Sequence, residues 1–212
     1  MDQIHPEIPT GRISTLFKEA ESLGIGVIMI AGGEPLMRPE ILEAAAERKK
    51  IIFPVFTNGT LLDQERIKFF RKHPHLIPIL SVEGNRQYTD HRRGEGVFNM
   101  LELSMTQLQD SNQLYGLFIS LPGDEEKYGS CLAAGRGFAH ISADGSVEPC
   151  PFAPCSDLNI RDRSLASALE SKFLRKIRES HHLLKESRGG CTLWENRKWV
   201  SDQLNGFMDR PA

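Results

Sequence analysis

The run Ile25-Gly-Val-Ile-Met-Ile-Ala31, followed at once by Gly32-Gly33, constrains this chain more than any other stretch in it. An apolar segment of that length, without polar alternation and closed by glycines, reads as a parallel strand buried on both faces by helices. An amphipathic helix precedes it. Ile13, Leu16, Phe17, Ala20 and Leu23 recur at helical spacing, with Thr10 placed to cap the start and Gly24 just past the end. The alternation then repeats, with helices expected near residues 39–48, 64–72 and 97–110 and strands near 51–56, 76–82 and 114–120. Strands alternating with helices imply parallel βαβ units, and such units place ligands at the carboxyl ends of their strands.

From Leu121-Pro-Gly-Asp124 onward the pattern changes, so the chain is divided into residues 1–120 and 121–212. The second part holds one hairpin signal, residues 138–149 with Asp144-Gly145 as the turn, and a helix over 165–179 with Ser164 as its cap. It also holds all four cysteines, Cys131, Cys150, Cys155 and Cys191, in the pattern C-x18-C-x4-C-x35-C. That spacing lacks the tight pairs of a zinc ribbon, and without an export signal it points to metal or redox use rather than to disulfides. Zinc, drawing on His140, His181 or His182, ranks below iron–sulfur, because adjacent histidines on a helix do not face the same way.

Charge narrows the partners. Lys and Arg number 26 against 28 Asp and Glu, a net charge of -2, which leaves no positive field to draw in nucleic acid or a membrane surface. The basic stretch 172–188 is interleaved with Glu179 and Glu186 and reads as a solvated helix face. The longest apolar run is far too short to span a bilayer, so a cytoplasmic protein is expected.

Ala31-Gly-Gly-Glu-Pro35 sits where a buried strand gives way to a helix. Glycines let main-chain groups approach a ligand closely, and Glu34 adds a carboxylate that can accept from an ammonium. The same five residues also suit a plain strand-to-helix turn.

Together with Val55-Phe-Thr-Asn-Gly-Thr60 and Leu80-Ser-Val-Glu-Gly84, that segment resembles the second, third and fourth units of the radical S-adenosylmethionine (SAM) barrel. The resemblance implies an α/β fold: a partial parallel barrel of about four of the six units, followed by a small cysteine-containing hairpin-and-helix domain. It also implies that Gly32, Gly33, Glu34 and Pro35 bind the SAM amino group, and that Thr57, Asn58, Ser81 and Glu83 line the rest of the cofactor site. Thr89-Asp-His-Arg-Arg93 is similar to an Asp-x-x-Arg pattern of relatives with cysteine-rich extensions, which gives Arg93 to the SAM carboxylate, an anion suited to a guanidinium fork.

The segments 129–138 and 140–151 resemble the SPASM or twitch extension of the same family, where thiolates hold an auxiliary 4Fe-4S cluster. By that resemblance Cys131, Cys150, Cys155 and Cys191 are its ligands; Cys155 stands where an aromatic residue is expected, which would leave three ligands and one open iron site.

No cysteine precedes Cys131, so the family's C-x3-C-x2-C loop has no counterpart here, and a second gap is expected near Ser120-Leu121. A barrel so shortened would expose both sheet edges, which a partner chain or a second copy would cover. The expected function is a radical SAM family protein that holds a 4Fe-4S cluster and a remnant SAM pocket, acting on a peptide or small metabolite if another polypeptide supplies the missing cluster. The alternatives are a non-catalytic electron-transfer or partner-binding module, and an inactive gene fragment.

Overall fold

The computed structural model describes residues 6–119, 138–183 and 192–208. The chain forms two compact units, Ile13–Pro122 and a second built from Met1–Arg12 with Gly123–Ala212.

Helix α1 (Thr10–Ser22), which enters the first unit at Ile13, buries Ile13, Leu16, Phe17 and Ala20 at the expected helical spacing. It begins at Thr10 itself rather than one residue after it. Phe17 meets Phe53 edge-on, ring centroids 5.1 Å apart. Three parallel strands follow in the order β1 (Phe53–Thr57), β2 (Leu76–Val82), β3 (Gly116–Ile119). Their register sets Thr57 beside Leu80 and Ser81 beside Phe118, so the strand ends are brought together.

Residues 25–31 lie along the free side of β1. Ile52 N donates to Gly26 O and Ile28 N to Ile52 O; further along, Ile30 N donates to Pro54 O and Phe56 N to Ile30 O. Between these two pairs stands Pro54, which has no N–H to give, and the ladder is reduced to separate bridges at Val27–Ile52 and Ile30–Val55. The expected full strand, buried on both faces, is instead an interrupted edge with Val27 54% and Met29 57% exposed. Pro78 is accommodated differently: it lies in β2 one residue before the β3 register begins at Ile79–Gly116.

Strands β1 and β2 each have one covered face and one half-open face. Phe53, Val55, Leu76 and Leu80 are fully buried, while Phe56, Ile77, Ile79 and Ser81 are half-exposed. Burying each large apolar side chain contributes about 1.5–3 kcal/mol. Helices α2 (Pro39–Ala46), α3 (Gln64–Lys72) and α5 (Val97–Asp110) supply further core residues, among them Ala45, Ile67, Phe70, Leu101 and Leu108. A short 3-10 turn spans Pro35–Met37. Helix α4 (Arg86–Arg93) has almost no apolar residue; the Asn85 side chain caps it by accepting from Tyr88 N at 3.1 Å.

In the second unit, β4 (His140–Ile141) and β5 (Val147–Glu148) form an antiparallel hairpin. Gly145, in its turn, has φ +90°, and a Cβ there would come within 2.5 Å of Ile8 Cγ2 and 2.8 Å of Asn159 Oδ1. The chain start is fastened to this region: Ile8 N donates to Ala143 O at 2.8 Å, and the Arg12 guanidinium donates to the carbonyls of Ile160 and Arg163, both at 2.7 Å.

The helix expected over 165–179 is two helices, α6 (Leu165–Leu169) and α7 (Lys172–Glu179). Ser171 divides them. Its hydroxyl donates to Asp157 Oδ1 at 2.6 Å and accepts from Leu174 N at 3.0 Å, which starts a new helix against a distant carboxylate. Phe173, Leu174 and Ile177 of α7 are fully buried, as are Leu193 of α8 (Thr192–Glu195) and Val200 of α9 (Arg197–Met208). Among the described residues, no helix is long and apolar enough to cross a membrane.

Candidate cofactor site

The residues marked out by the sequence at three strand ends converge in two hydrogen-bonded groups within the first unit. The first is centred on Glu34. Its Oε1 accepts from Leu36 N at 3.0 Å and from the Thr57 hydroxyl at 2.7 Å, and its Oε2 accepts from Asn58 N at 2.8 Å. Thr57 is 1% exposed at the end of β1, and its Oγ1 accepts in turn from Gly59 N at 3.1 Å. The Asn58 side chain stays local, accepting from Thr60 N at 2.9 Å and the Thr60 hydroxyl at 2.7 Å. Gly32 and Gly33 have φ +93° and +51°, and a Cβ on either would meet nothing within 4 Å. Only glycine adopts such angles in sequence without strain, and the main chain beside it is open to a ligand. Pro35 is buried at the start of the 3-10 turn.

The second group is centred on Glu83, 6% exposed just past the end of β2. Its Oε1 accepts from Arg93 Nη2 at 2.5 Å and Nε at 3.0 Å, and its Oε2 from Arg92 Nη1 at 2.7 Å. The sequence reading gave Glu83 and Arg93 separate duties toward a cofactor; here they bind each other. Two guanidiniums against one carboxylate leave net positive charge, with Arg92 the more exposed of the pair. Arg92 was missed, although it adjoins the Asp90-x-x-Arg93 pattern, and so was helix α4, which turns both arginines back toward Glu83. Asp90 of that pattern accepts from Phe98 N at 2.8 Å at the start of α5. Ser81 sits half-exposed on the open face of β2.

Of the four cysteines, Cys131 and Cys191 lie outside the described residues. Cys150 is 3% exposed just after β5, and its carbonyl accepts from Ala153 N at 3.1 Å. Burial, and then the Glu148 carboxylate, push the Cys155 thiol above its ordinary pKa. His140, named for zinc, has its Nδ1 2.8 Å from Glu148 Oε2. Among the described residues, no three His, Cys, Asp or Glu side chains are grouped so as to hold a metal ion.

A model of the radical SAM superfamily matches residues 3–112, more than half of the chain, and the chain belongs to that superfamily. Its members use SAM and a 4Fe-4S cluster, and the α/β fold with its short parallel sheet is that of radical SAM enzyme structures. The chain is similar to the Fe-coproporphyrin III synthase of Methanosarcina barkeri (strain Fusaro / DSM 804), 29% identical over 163 residues that cover 67% of this chain and 41% of that protein. It is also similar to the AdoMet-dependent heme synthase of the same organism, 32% identical over 95 residues that cover 41% of this chain and 27% of that protein. The chain thus spans less than half the length of these curated relatives.

Among solved structures, anSMEcpe with bound AdoMet and Cp18Cys peptide superposes with a TM-score of 0.59 at 14% identity, over 94% of this chain and 88% of that one. BtrN in complex with AdoMet and 2-DOIA gives 0.58 at 17% identity, over 82% of this chain and 74% of that one. At such identities the likeness establishes the fold.

Proposed function

We propose that this chain carries the SAM-binding turn and the auxiliary-cluster domain of a radical SAM protein of the SPASM/twitch kind. The observation that carries the reading is the joining, through Glu34, of the Gly32–Gly33 turn to the Thr57–Asn58 strand end. That arrangement leaves an open glycine main chain at the carboxyl end of a parallel sheet, where such folds bind ligands. The half-exposed Phe56, Ile79 and Ser81 give an apolar floor with one hydroxyl, suited to an adenosyl group. The positive charge left over at Arg92 and Arg93 suits the SAM carboxylate or a carboxylate of the substrate.

In this reading Cys150, with Cys131 and Cys191, holds the auxiliary 4Fe-4S cluster, and Cys155, which stands where that extension is expected to carry an aromatic residue, is the dispensable ligand. Such a cluster supplies one-electron redox chemistry. Of the peptide and small-metabolite substrates expected from the sequence, the names of the two curated relatives favour a tetrapyrrole. The edge bearing Val27 and Met29 is where a partner chain or a second copy would pair. The cytoplasmic setting and the indifference to nucleic acid expected from composition belong to the same proposal.

One observation favours a second reading, an electron-transfer module that cleaves no SAM. The sequence has no cysteine before Cys131, so thiolates from outside these residues would have to hold the cluster that reduces SAM. Anaerobic reconstitution with iron and sulfide, followed by iron counting, electron paramagnetic resonance and SAM titration, separates the two. The proposal expects about four irons per chain, most of them lost in Cys150→Ser and retained in Cys155→Ser, together with SAM binding. Iron without SAM binding supports the module, and neither iron nor SAM binding overturns both.

A further inference from the structure

We infer that Arg92 is a specificity residue: its guanidinium, held in place by Glu83, takes a carboxylate of the substrate, while Arg93 serves to neutralise Glu83. The inference rests on the tetrapyrrole reading above and deepens it, since tetrapyrroles of the coproporphyrin type carry carboxylate side chains. A carboxylate as buried as that of Glu83, 7% exposed, requires a compensating cation. Arg93 meets that requirement: its Nε and Nη2 both donate to Oε1, and its side chain is only 28% exposed. Arg92 is a second cation on the same group, donating from Nη1 to Oε2 at 2.7 Å with 67% of its side chain exposed. An ion pair so exposed adds little to stability. The fold therefore gains almost nothing from a charge that it nevertheless fixes in place.

The fixing matters for a ligand. A guanidinium offers about five N–H donors in a rigid fork, and among the described residues one donor of Arg92 is engaged. The rest are left for an anion, which the fork binds through two parallel hydrogen bonds. Two guanidiniums on one carboxylate leave a positive charge in excess. Two neighbouring acids are engaged elsewhere: Asp90 Oδ1 accepts from Phe98 N at 2.8 Å, and Glu102 pairs with Arg86. Glu83 follows β2 as Asn58 follows β1, and the two strands run parallel, so the excess charge stands at the carboxyl ends of the sheet. A fork at that rim selects an acid over an ester of the same shape, and Glu83 is the positioning residue that sets where the fork lies.

The test is titration of the full chain with coproporphyrin III and with its methyl ester, followed by absorbance, for the parent, Arg92→Gln, Arg92→Lys and Glu83→Gln, with SAM titrated into the same samples. Arg92→Gln is expected to weaken coproporphyrin III binding about ten- to hundredfold, with Arg92→Lys restoring only part of it because an ammonium lacks the fork. Equal affinity of the parent and Arg92→Gln, or a loss shared with the ester or with SAM, overturns the inference. Glu83→Gln raises the net positive charge, so charge alone predicts tighter binding and positioning predicts weaker binding; a tighter complex removes Glu83 from the explanation. Should the parent bind neither porphyrin, the tetrapyrrole reading fails, and Arg92 is judged with succinate, a plain dicarboxylate. Succinate must then shield Arg92 from phenylglyoxal, read by mass spectrometry, while the exposed Arg71 stays reactive; modification of both alike overturns the inference. If the variants do not fold, the same shielding of Arg92 in the parent by coproporphyrin III, and not by its ester, decides the matter.

Discussion

Arg93 reaches back ten residues to Glu83, its Nη2 2.5 Å from an Oε1 that is nearly buried at the end of β2. The pair closes helix α4 onto the strand that precedes it. Removing one partner of a buried, hydrogen-bonded pair leaves the other uncompensated, whereas an exposed pair is worth little. Arg93→Ala is therefore expected to cost about 1–3 kcal/mol of unfolding free energy and Arg92→Ala, whose guanidinium is well exposed, about 0–1 kcal/mol. Urea unfolding of both variants, with Glu83→Gln to complete a double-mutant cycle, checks the order. Equal losses would show that Arg93 has no privileged place.

Asp63 caps α3, accepting from Arg66 N at 2.8 Å. Asp63→Ala should cost about 1 kcal/mol and Asp63→Asn distinctly less, since the amide oxygen can still accept. The hydrogen bond from Arg66 N, aided by the charge of its side chain, holds the Asp63 carboxyl below its ordinary pKa of 3.8. The charge-dependent part of the cap is thus fully present above that value and is lost as pH falls through the lower folded value. Melts at neutral and acid pH should show the parent and Asp63→Asn converging as the medium becomes acidic.

His73 gives a second pH dependence, in a less acidic range than Asp63. Burial, then the charges of Lys72, His75 and Lys49, holds its pKa below the ordinary 6.5. The ring lies tilted against Phe69, centroids 4.7 Å and planes 46° apart, and stands edge-on to His75 at 6.1 Å. The unfolded chain takes up this proton first, so stability is full above pH 6.5 and falls as pH drops toward the folded value. His73→Phe should flatten the change between pH 7 and 5 in urea melts; an unaltered pH profile would remove His73 from the explanation.

Pro54 leaves a gap in the bonding between β1 and residues 25–31. Pro54→Ala supplies the missing N–H, so amide exchange at Ile28 and Ile30 should slow severalfold. Global stability should change by less than about 1 kcal/mol, because the unfolded chain also gains freedom when proline is removed. If exchange at those two amides is unaltered, the gap has another cause.

The regular alternation was legible because local periodicity dictated it: α3, β2 and α5 lie where the apolar spacing puts them, and the Asp144-Gly145 turn was readable from its residue types. The elements that escaped depend on distant partners. Helix α4 shows no apolar stripe and is held by a cap and by Glu83. The break between α6 and α7 needs Asp157, fourteen residues before Ser171. The edge at 25–31 is apolar enough to be a core strand, and only its position at the margin of the sheet and the proline opposite decide otherwise. At the candidate site, individual residues could be named from the sequence, but not that Glu34 would meet Thr57 or that Glu83 would meet Arg93.

The main-chain partners of Ile8 and the carbonyls that receive Arg12 come from residues 143–163, so the second unit is assembled from the two ends of a long excursion of the chain. During synthesis the early piece emerges well over a hundred residues before its counterpart. Residues 13–122 can collapse in that interval on contacts of their own, whereas the hairpin unit must wait for translation to pass residue 163. A ribosome stalled short of that point should display the sheet unit folded, with residues 6–9 still open to a protease.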